Sequence, residues 1–303
     1  MDMDRKIVVS PIGLPRRLQG TLLAMMGVLI TLFTVSCANA QGHGENAHVV
    51  IAGSTSVQPY MEILAENYAK RFPGSAIDVQ GGGSSAGISA VGSGIADIGM
   101  SSRSLSEHEK ELYIPVEIAR DGLALIVHPA NPVDSLTVEQ IRDIYSGKIT
   151  DWGQVGGKHG EEIYVISREA GSGTRGFFEE FVMDEHRITN KAIIQSTNGT
   201  IRTLVSGDAR GNRQAIGYIS LGLLELPGQN PVKGIAINSV QPTNENIINH
   251  SYKLFRPFLI VTDSVQSDAV KDFIDFILSD DGQSILEKRG LVRIMTASGD
   301  TRG

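Results

Sequence analysis

The chain repeats one local pattern three times: an apolar, β-prone run, then a turn rich in glycine and serine, then a segment whose apolar residues have helical spacing. The three turns are residues 53–56, 81–85 and 168–174. Alternation of strands and helices predicts an α/β fold with mainly parallel strands. Ligands of open α/β sheets gather at the carboxyl ends of the strands, which is where these turns lie. The pattern therefore predicts a fold class and a region for ligand binding.

Each turn has the chemistry of an anion-binding site. A helix N-terminus presents unpaired backbone N–H groups and about half a positive charge. Glycine allows a close approach of the backbone to a ligand, and serine and threonine hydroxyls add donors. Arg168 adds a planar guanidinium that suits bidentate pairing with an oxyanion. The same residue types also cap helices, and Arg168 could pair with Glu169 instead, so both interpretations stay open at this point.

Composition and charge exclude several classes of protein. The chain has 303 residues, of which 41% are hydrophobic and 20% are charged, which argues against disorder and against a polytopic membrane protein. Its formal net charge of −7 makes nucleic acid an unexpected partner. One cysteine rules out an intramolecular disulfide and a cysteine-based zinc cluster, and the histidines show no metal-ligand spacing. We therefore expect neither a metal nor a cofactor.

Residues 1–40 have the features of a secretory signal peptide. A basic start precedes an apolar stretch, residues 22–35, that is too short to span a bilayer comfortably. Ala38-Asn39-Ala40 fits an A-x-A cleavage site, whereas Thr34-Val35-Ser36-Cys37 resembles a lipoprotein box in which Cys37 is lipidated. Either version predicts export, to the periplasm or to the outer face of the cell membrane.

Two motifs of other protein classes also match the chain. Gly171-Ser172-Gly173-Thr174-Arg175-Gly176 fits G-x-G-x-x-G, but a dinucleotide site needs its glycines directly after the strand, and polar residues intervene here. Gly83-Ser84-Ser85-Ala86-Gly87 fits the G-x-S-x-G nucleophile elbow, with Ser85 as the nucleophile. The later histidines, none of which lies in a persuasive motif, are His128, His159, His186 and His250. An exported serine hydrolase is therefore the alternative function.

Longer strings make the sequence similar to a known family. In chain order they are Gly53-Ser54-Thr55-Ser56-Val57, Gly82-Gly83-Ser84-Ser85-Ala86-Gly87, Ala96-Asp97-Ile98-Gly99-Met100-Ser101-Ser102-Arg103, Ile149-Thr150-Asp151-Trp152, Ser167-Arg168-Glu169-Ala170-Gly171-Ser172-Gly173-Thr174-Arg175 and Ala215-Ile216-Gly217-Tyr218-Ile219-Ser220. Together they resemble the phosphate-binding protein of phosphate ABC transporters, from about Val49 to Val292. The string that contains Arg168 is highly specific to that family, and the shorter serine motifs are not.

The resemblance implies a fold and a function. The fold is the two-lobed periplasmic-binding-protein fold (type II-like), with mixed sheets flanked by helices and a ligand cleft between the lobes. We expect residues 48–127 plus 251–303 to form the first lobe and residues 128–250 the second. The implied function is that of a binding protein, not an enzyme, and we expect a monomer. It captures inorganic phosphate and delivers it to the permease and ATPase subunits of an ABC transporter.

The resemblance also assigns eight phosphate-binding residues by motif position. They are Thr55, Ser56, Ser84 and Ser102 from the first lobe, and Arg168, Ser172, Gly173 and Thr174 from the second. Ser102 stands where longer family members often have aspartate. An aspartate accepts the hydrogen bond of phosphate's proton and repels sulfate, whereas serine accepts without repelling by charge. Asp97 and Glu169 are the carboxylates that could compensate, and another tetrahedral oxyanion remains an alternative ligand.

Overall fold

A computed structural model of the protein describes residues 48–207, 213–225 and 228–294. The predicted signal peptide, including Cys37, lies outside the described residues. Within the described ranges, no helix combines the length and the apolar character needed to cross a membrane.

Strands of the described residues form one large mixed sheet and one small pair. The strands are β1 His48–Gly53, β2 Ala76–Gly81, β3 Ile98–Ser101, β4 Ile114–Val127, β5 Ser135–Leu136, β6 Tyr164–Arg168, β7 Ile193–Gln195, β8 Ala215–Ser220, β9 Lys233–Gly234, β10 Ala236–Ile237 and β11 Phe255–Thr262. The large sheet has the order β2-β1-β3-β11-β4-β8-β6-β7, with β9 paired to β4. β5 pairs with β10 outside it.

Helices flank these strands. The α-helices are α1 Gln58–Arg71, α2 Ser84–Gly92, α3 Glu107–Leu112, α4 Val138–Ser146, α5 Gly173–Phe178, α6 Asn198–Val205, α7 Asn244–Ile248, α8 Asp268–Leu278 and α9 Asp280–Glu287. Short 3₁₀ turns occur at Trp152–Val155 and Leu221–Leu223, and a π-helical turn at Glu179–Met183 continues α5. The predicted alternation of strands and helices is confirmed.

One long strand belongs to both halves of the large sheet. The first part of β4, residues 114–122, pairs antiparallel with β11, and its second part, residues 123–127, pairs antiparallel with β8. We call the half built on β2, β1, β3 and β11 the first lobe, and the half built on β8, β6 and β7 the second lobe. Within each lobe the neighbours of β1 and of β6 are parallel, as predicted. The antiparallel strands are the ones at the junction.

A buried ion pair holds that junction. Arg256 Nη2 on β11 donates to Asp121 Oδ2 on β4 at 3.0 Å, and Ser220 Oγ on β8 donates to Asp121 Oδ1 at 2.8 Å. Both charged side chains are fully buried. Removing one member of a buried pair typically costs about 3–5 kcal/mol. The three side chains come from β11, β4 and β8. Their hydrogen bonds therefore fix how β11 and β8 align along β4.

Side-chain caps mark the starts of several helices. Ser106 with Glu109 and Thr137 with Gln140 have the spacing that predicts capping boxes, and both boxes are present at the starts of α3 and α4. The dipeptide Asn198-Gly199 predicts a turn from its residue types, and this prediction is wrong, because these residues begin α6. Thr197 caps that helix: its hydroxyl accepts a hydrogen bond from the Thr200 N–H at 3.1 Å.

Candidate anion-binding site

The three glycine- and serine-rich turns meet at the junction between the lobes. Two of them follow β1 and β2 in the first lobe, and the third follows β6 in the second lobe. The Ser85 N–H donates to the Gly171 carbonyl at 3.3 Å, which joins the second turn to the third. A Cβ atom on Gly173 would collide with Ser84 Oγ and lie 2.8 Å from Ser102 Oγ. The start of α5 therefore lies directly against hydroxyl groups of the first lobe.

Buried hydroxyl groups of both lobes form one cluster there. Ser54 Oγ donates to Ser102 Oγ at 2.9 Å, and the Ser102 N–H donates to Ser84 Oγ at 3.1 Å. Ser56 Oγ and Thr174 Oγ1 share a hydrogen bond between the lobes at 2.8 Å. Each of these five residues is at most 1% exposed. Because a hydroxyl rotates to suit its partner, the cluster can turn several O–H donors toward a bound anion.

Arg168 supplies a buried positive charge at the edge of this cluster. Its Nε and Nη2 atoms donate to the two carboxylate oxygens of Glu169, each at 2.9 Å. Nη2 also donates to Thr55 Oγ1 at 3.0 Å, which connects the lobes. The ion pair with Glu169 that the sequence left open is therefore present, but it occupies only one edge of the guanidinium.

The Nη1 atom of Arg168 is buried and has no hydrogen-bond partner among the described residues. The side chain as a whole is only 1% exposed. A buried donor without an acceptor costs about 1–3 kcal/mol, and more when it carries charge. An oxyanion bound beside Nη1 would remove this cost. The unpartnered atom is thus a structural observation that points to an anionic ligand.

Neighbouring groups fix the backbone of Arg168. Tyr218 Oη accepts from the Arg168 N–H at 3.3 Å and shares a hydrogen bond with Ser167 Oγ at 2.7 Å. Burial raises the pKa of Tyr218 to about 12, so its hydroxyl is neutral at physiological pH. Arg175 Nη1 donates to the Arg168 carbonyl at 2.9 Å. The guanidinium therefore projects from a backbone that is held on both sides.

All eight residues assigned from the sequence lie in or beside this cluster. Ser172 is the N-cap of α5, where its hydroxyl accepts from the Arg175 N–H at 3.3 Å, and Gly173 and Thr174 form the first turn of that helix. The remaining assigned residues are Thr55, Ser56, Ser84, Ser102 and Arg168, whose contacts are given above. That these residues bind phosphate stays a prediction.

Sequence reasoning missed one residue at the centre of the cluster. Asn198, at the start of α6, donates from Nδ2 to Ser56 Oγ at 2.9 Å, and its Oδ1 accepts from the Ser220 N–H at 3.3 Å. It is 3% exposed. Because Asn-Gly is a strong turn signal, the sequence did not predict that α6 begins at this residue. The spacing of Thr197 and Thr200 was the available sign that a capped helix begins here.

The two candidate compensating carboxylates are both engaged elsewhere. Asp97 is exposed and accepts from the Val50 N–H at 2.8 Å, so it supports the edge of β1 and is not part of the cluster. Glu169 uses both of its carboxylate oxygens on Arg168. Neither carboxylate offers an acceptor dedicated to the proton of a bound anion.

The surroundings of Ser85 differ from those of a hydrolase nucleophile. Ser85 is exposed, and its Oγ accepts from Arg103 Nη2 at 3.4 Å. Arg103 in turn forms a bidentate pair with Glu109, at 2.8 and 2.9 Å, and holds the pKa of that carboxyl at about 2. Among the described residues, no histidine hydrogen-bonds to Ser85, so the base that would activate it is missing from this arrangement.

The sequence matches the model of the PBP superfamily domain over residues 38–281. The phosphate-binding protein PstS of Borreliella burgdorferi is 30% identical over 284 residues, which cover 90% of this chain and 100% of that protein. The chain belongs to this family of periplasmic-binding-protein-like phosphate-binding proteins.

Solved structures agree with this assignment. A phosphate ABC transporter substrate-binding protein of Clostridium perfringens, solved with bound phosphate, is 43% identical, with a TM-score of 0.76, and the match covers 82% of this chain and all of that one. An ABC-type phosphate transport receptor of Vibrio cholerae is 40% identical, with a TM-score of 0.67, over 81% of this chain and all of that one. The predicted two-lobed α/β fold is confirmed.

Proposed function

We propose that this protein captures inorganic phosphate between its lobes and delivers it to the permease and ATPase subunits of an ABC transporter for uptake. The observation that carries the proposal is the buried Nη1 atom of Arg168, which lacks a partner beside a cluster of buried hydroxyls from both lobes. Relatives named for phosphate binding and phosphate transport support the choice of ligand.

We assign the eight residues predicted from the sequence to the phosphate, together with Asn198 as the residue that orients Ser56. Hydrogen bonds to a charged group are worth about 1.5–3 kcal/mol each. Micromolar binding needs about −8 kcal/mol net. Donors from Arg168, the hydroxyl cluster and the first turn of α5 supply enough such bonds to offset dehydration of the anion and closure of the lobes.

The proposed cycle uses the junction of β4 and β11 as its hinge region. We assign residues 48–127 plus 251–303 to the first lobe and residues 128–250 to the second. Phosphate favours the closed form because it contacts donors of both lobes at once. Export follows from the signal at residues 1–40, with Cys37 either removed or lipidated. We propose a monomer.

Because the described site has no free carboxylate, we expect only moderate selectivity for phosphate over sulfate. Ser102 can accept the hydrogen bond of phosphate's proton, but it cannot repel sulfate by charge. One such hydrogen bond is worth about 1–3 kcal/mol, so we expect phosphate to bind about 10- to 100-fold more tightly than sulfate. Titration of each anion alone near neutral pH measures the ratio. If the titration showed no sulfate binding, a group other than an aspartate at position 102 would have to reject sulfate.

Replacing Asn198 by alanine is expected to lower phosphate affinity by about tenfold. The variant removes the donor that orients Ser56 toward the anion, a loss of about 1 kcal/mol or more of binding free energy. It also leaves the Ser220 N–H unpaired, which lowers the stability of the free and the bound protein alike. Fluorescence or calorimetric titration measures the affinity. Asn190→Ala, an exposed asparagine of the second lobe, is the matched control. Equal affinities of both variants would remove Asn198 from the site.

Delivery to a transporter is testable separately from binding. Membrane vesicles that contain the permease and ATPase subunits should take up labelled phosphate only when this protein is added. The Arg168→Met variant should not support uptake. Tight phosphate binding without stimulated uptake would contradict the transport role and favour a binding protein that serves sensing.

A further inference from the structure

A chain of hydrogen bonds joins the ion pair at the lobe junction to the hydroxyl cluster. Ser220 Oγ donates to Asp121 Oδ1 at 2.8 Å, and the Ser220 N–H donates to Asn198 Oδ1 at 3.3 Å. Asn198 Nδ2 in turn donates to Ser56 Oγ at 2.9 Å. These residues are at most 3% exposed, so bulk water does not compete for their hydrogen bonds. Ser220 links the two ends of the chain, through its side chain on one side and its backbone on the other.

The backbone of Ser220 sets the direction of the Asn198 amide. An amide side chain has an acceptor oxygen and a donor nitrogen, whereas a backbone N–H can only donate. The Ser220 N–H therefore pairs with Oδ1 of Asn198 and leaves Nδ2 facing Ser56. A reversed amide would place its NH2 group against the Ser220 N–H, and both buried donors would lose their acceptors. Because Ser56 Oγ accepts from Nδ2, its own proton is available for Thr174 or for an anion.

The side chain of Asp121 holds Ser220 at the point where the strand ladder ends. The pairing of β4 with β8 stops at Leu123 and Ser220, and a 3₁₀ turn begins at the next residue. Asp121 Oδ1 accepts from Ser220 Oγ and, at 3.4 Å, from the Gly222 N–H. Its Oδ2 accepts from Nε and Nη2 of Arg256 at 3.3 and 3.0 Å. Donors on both oxygens fix the carboxylate in position, and the carboxylate fixes Ser220.

The last step of the chain crosses from one lobe to the other. Asn198 and Ser220 belong to the second lobe, whereas Ser56 belongs to the first. The contact of Asn198 with Ser56 therefore depends on where the junction places the end of β8 relative to the first lobe. A change at the Ser220 hydroxyl should for this reason be felt at Ser56.

We propose that Ser220 is a positioning residue of the phosphate site. Its hydroxyl, anchored by Asp121, holds in place the backbone N–H that orients Asn198, and Asn198 in turn directs the proton of Ser56 toward the bound anion. The inference rests on the proposed function, because it requires phosphate beside Ser56. Phosphate affinity then depends, through Ser220, on the ion pair at the lobe junction.

A double-mutant cycle tests whether Ser220 acts through Asn198. Ser220→Ala keeps the N–H and removes the hydroxyl, so we expect phosphate to bind about three- to fivefold more weakly. In the Asn198→Ala background the same change should alter the affinity by less than about 1.5-fold, because the residue through which it acts is gone. Equal losses in both backgrounds, or no loss in the wild-type background, would overturn the inference and leave the proposed function intact. If the wild-type protein did not bind phosphate, the proposed function would fall, and the inference with it.

A conservative variant checks that the hydroxyl is responsible. Ser220→Cys keeps a side chain of similar size and a weak donor, so its phosphate affinity should lie between those of Ser220→Ala and wild type. Thermal unfolding shows whether each variant is folded. If Ser220→Cys were folded but bound phosphate no better than Ser220→Ala, the loss would not come from the hydrogen bond to Asp121, and the inference would be wrong.

The side-chain amide signals of Asn198 report its orientation directly. In isotope-labelled, anion-free protein these NMR signals are the ones that Asn198→Ala lacks. They should move in Ser220→Ala and stay in place in the control Ser206→Ala. Ser206 is also a buried serine of the second lobe, but its Oγ donates to the Thr203 carbonyl at 3.0 Å. Unmoved Asn198 signals in folded Ser220→Ala would overturn the positioning role.

Discussion

Replacing Arg168 by methionine is expected to lower phosphate affinity by about 100-fold to 10,000-fold. The variant keeps an unbranched side chain but removes the charge and the two N–H groups of Nη1. Each hydrogen bond to the anion is worth about 1.5–3 kcal/mol, and each 1.4 kcal/mol corresponds to a factor of ten. Calorimetric titration of phosphate near neutral pH measures the loss.

A second arginine of the same lobe provides the control. Arg142 is half-buried and donates from Nε to the Val182 carbonyl at 2.8 Å, away from the hydroxyl cluster. Arg142→Met should bind phosphate within about threefold of wild type. Thermal unfolding of both variants checks the fold, since Arg168→Met also leaves Glu169 without its partner. If a folded Arg168→Met variant bound phosphate like wild type, the site would lie elsewhere.

Replacing Gly173 by alanine is expected to weaken phosphate binding by at least about 100-fold through a single added methyl group. That methyl would collide with Ser84 Oγ and crowd Ser102 Oγ, so the start of α5 could not approach the first lobe. The stability of the fold should not fall through lost helix propensity, because alanine is a better helix former than glycine by about 1 kcal/mol. Affinity and unfolding temperature together separate the two effects.

Gly171 offers a matched control two residues earlier. A Cβ atom there would meet nothing within 4 Å. Gly171→Ala should therefore bind phosphate within about twofold of wild type. Near-identical affinities of the two alanine variants would show that α5 and the hydroxyl cluster are not in contact when phosphate is bound.

Local rules of sequence predicted most of the single elements. Alternating apolar runs and glycine-rich turns predicted the strand, turn and helix units, and capping-box spacing located the starts of α3 and α4. The first part of β4 was not predicted, because Glu117, Arg120 and Asp121 interrupt its apolar pattern. Its pairing with β11 spans more than a hundred residues of chain, and no local pattern contains that information.

The sequence predicted which residues come together at the candidate site, but not the hydrogen bonds between them. The turn chemistry and the family resemblance placed all eight assigned residues, which the structure brings together from segments far apart in sequence. The hydrogen-bond partners of the two carboxylates were not predictable. Asp97 accepts from the backbone of β1, and Glu169 accepts from one edge of the Arg168 guanidinium. The role of Asn198 was not predictable either, because its contact with Ser56 depends on how α6 packs against the first lobe.

Calorimetry on residues 41–303, stripped of bound anion and titrated with phosphate near neutral pH, tests most directly whether the cluster around Arg168 is a phosphate site. The predicted result is one-to-one binding with a dissociation constant of about 1 µM or below, abolished or severely weakened in Arg168→Met and in Gly173→Ala. The contradicting result is a folded protein that gives no heat with phosphate and no rise in unfolding temperature. In that case the three turns would be helix caps without a ligand.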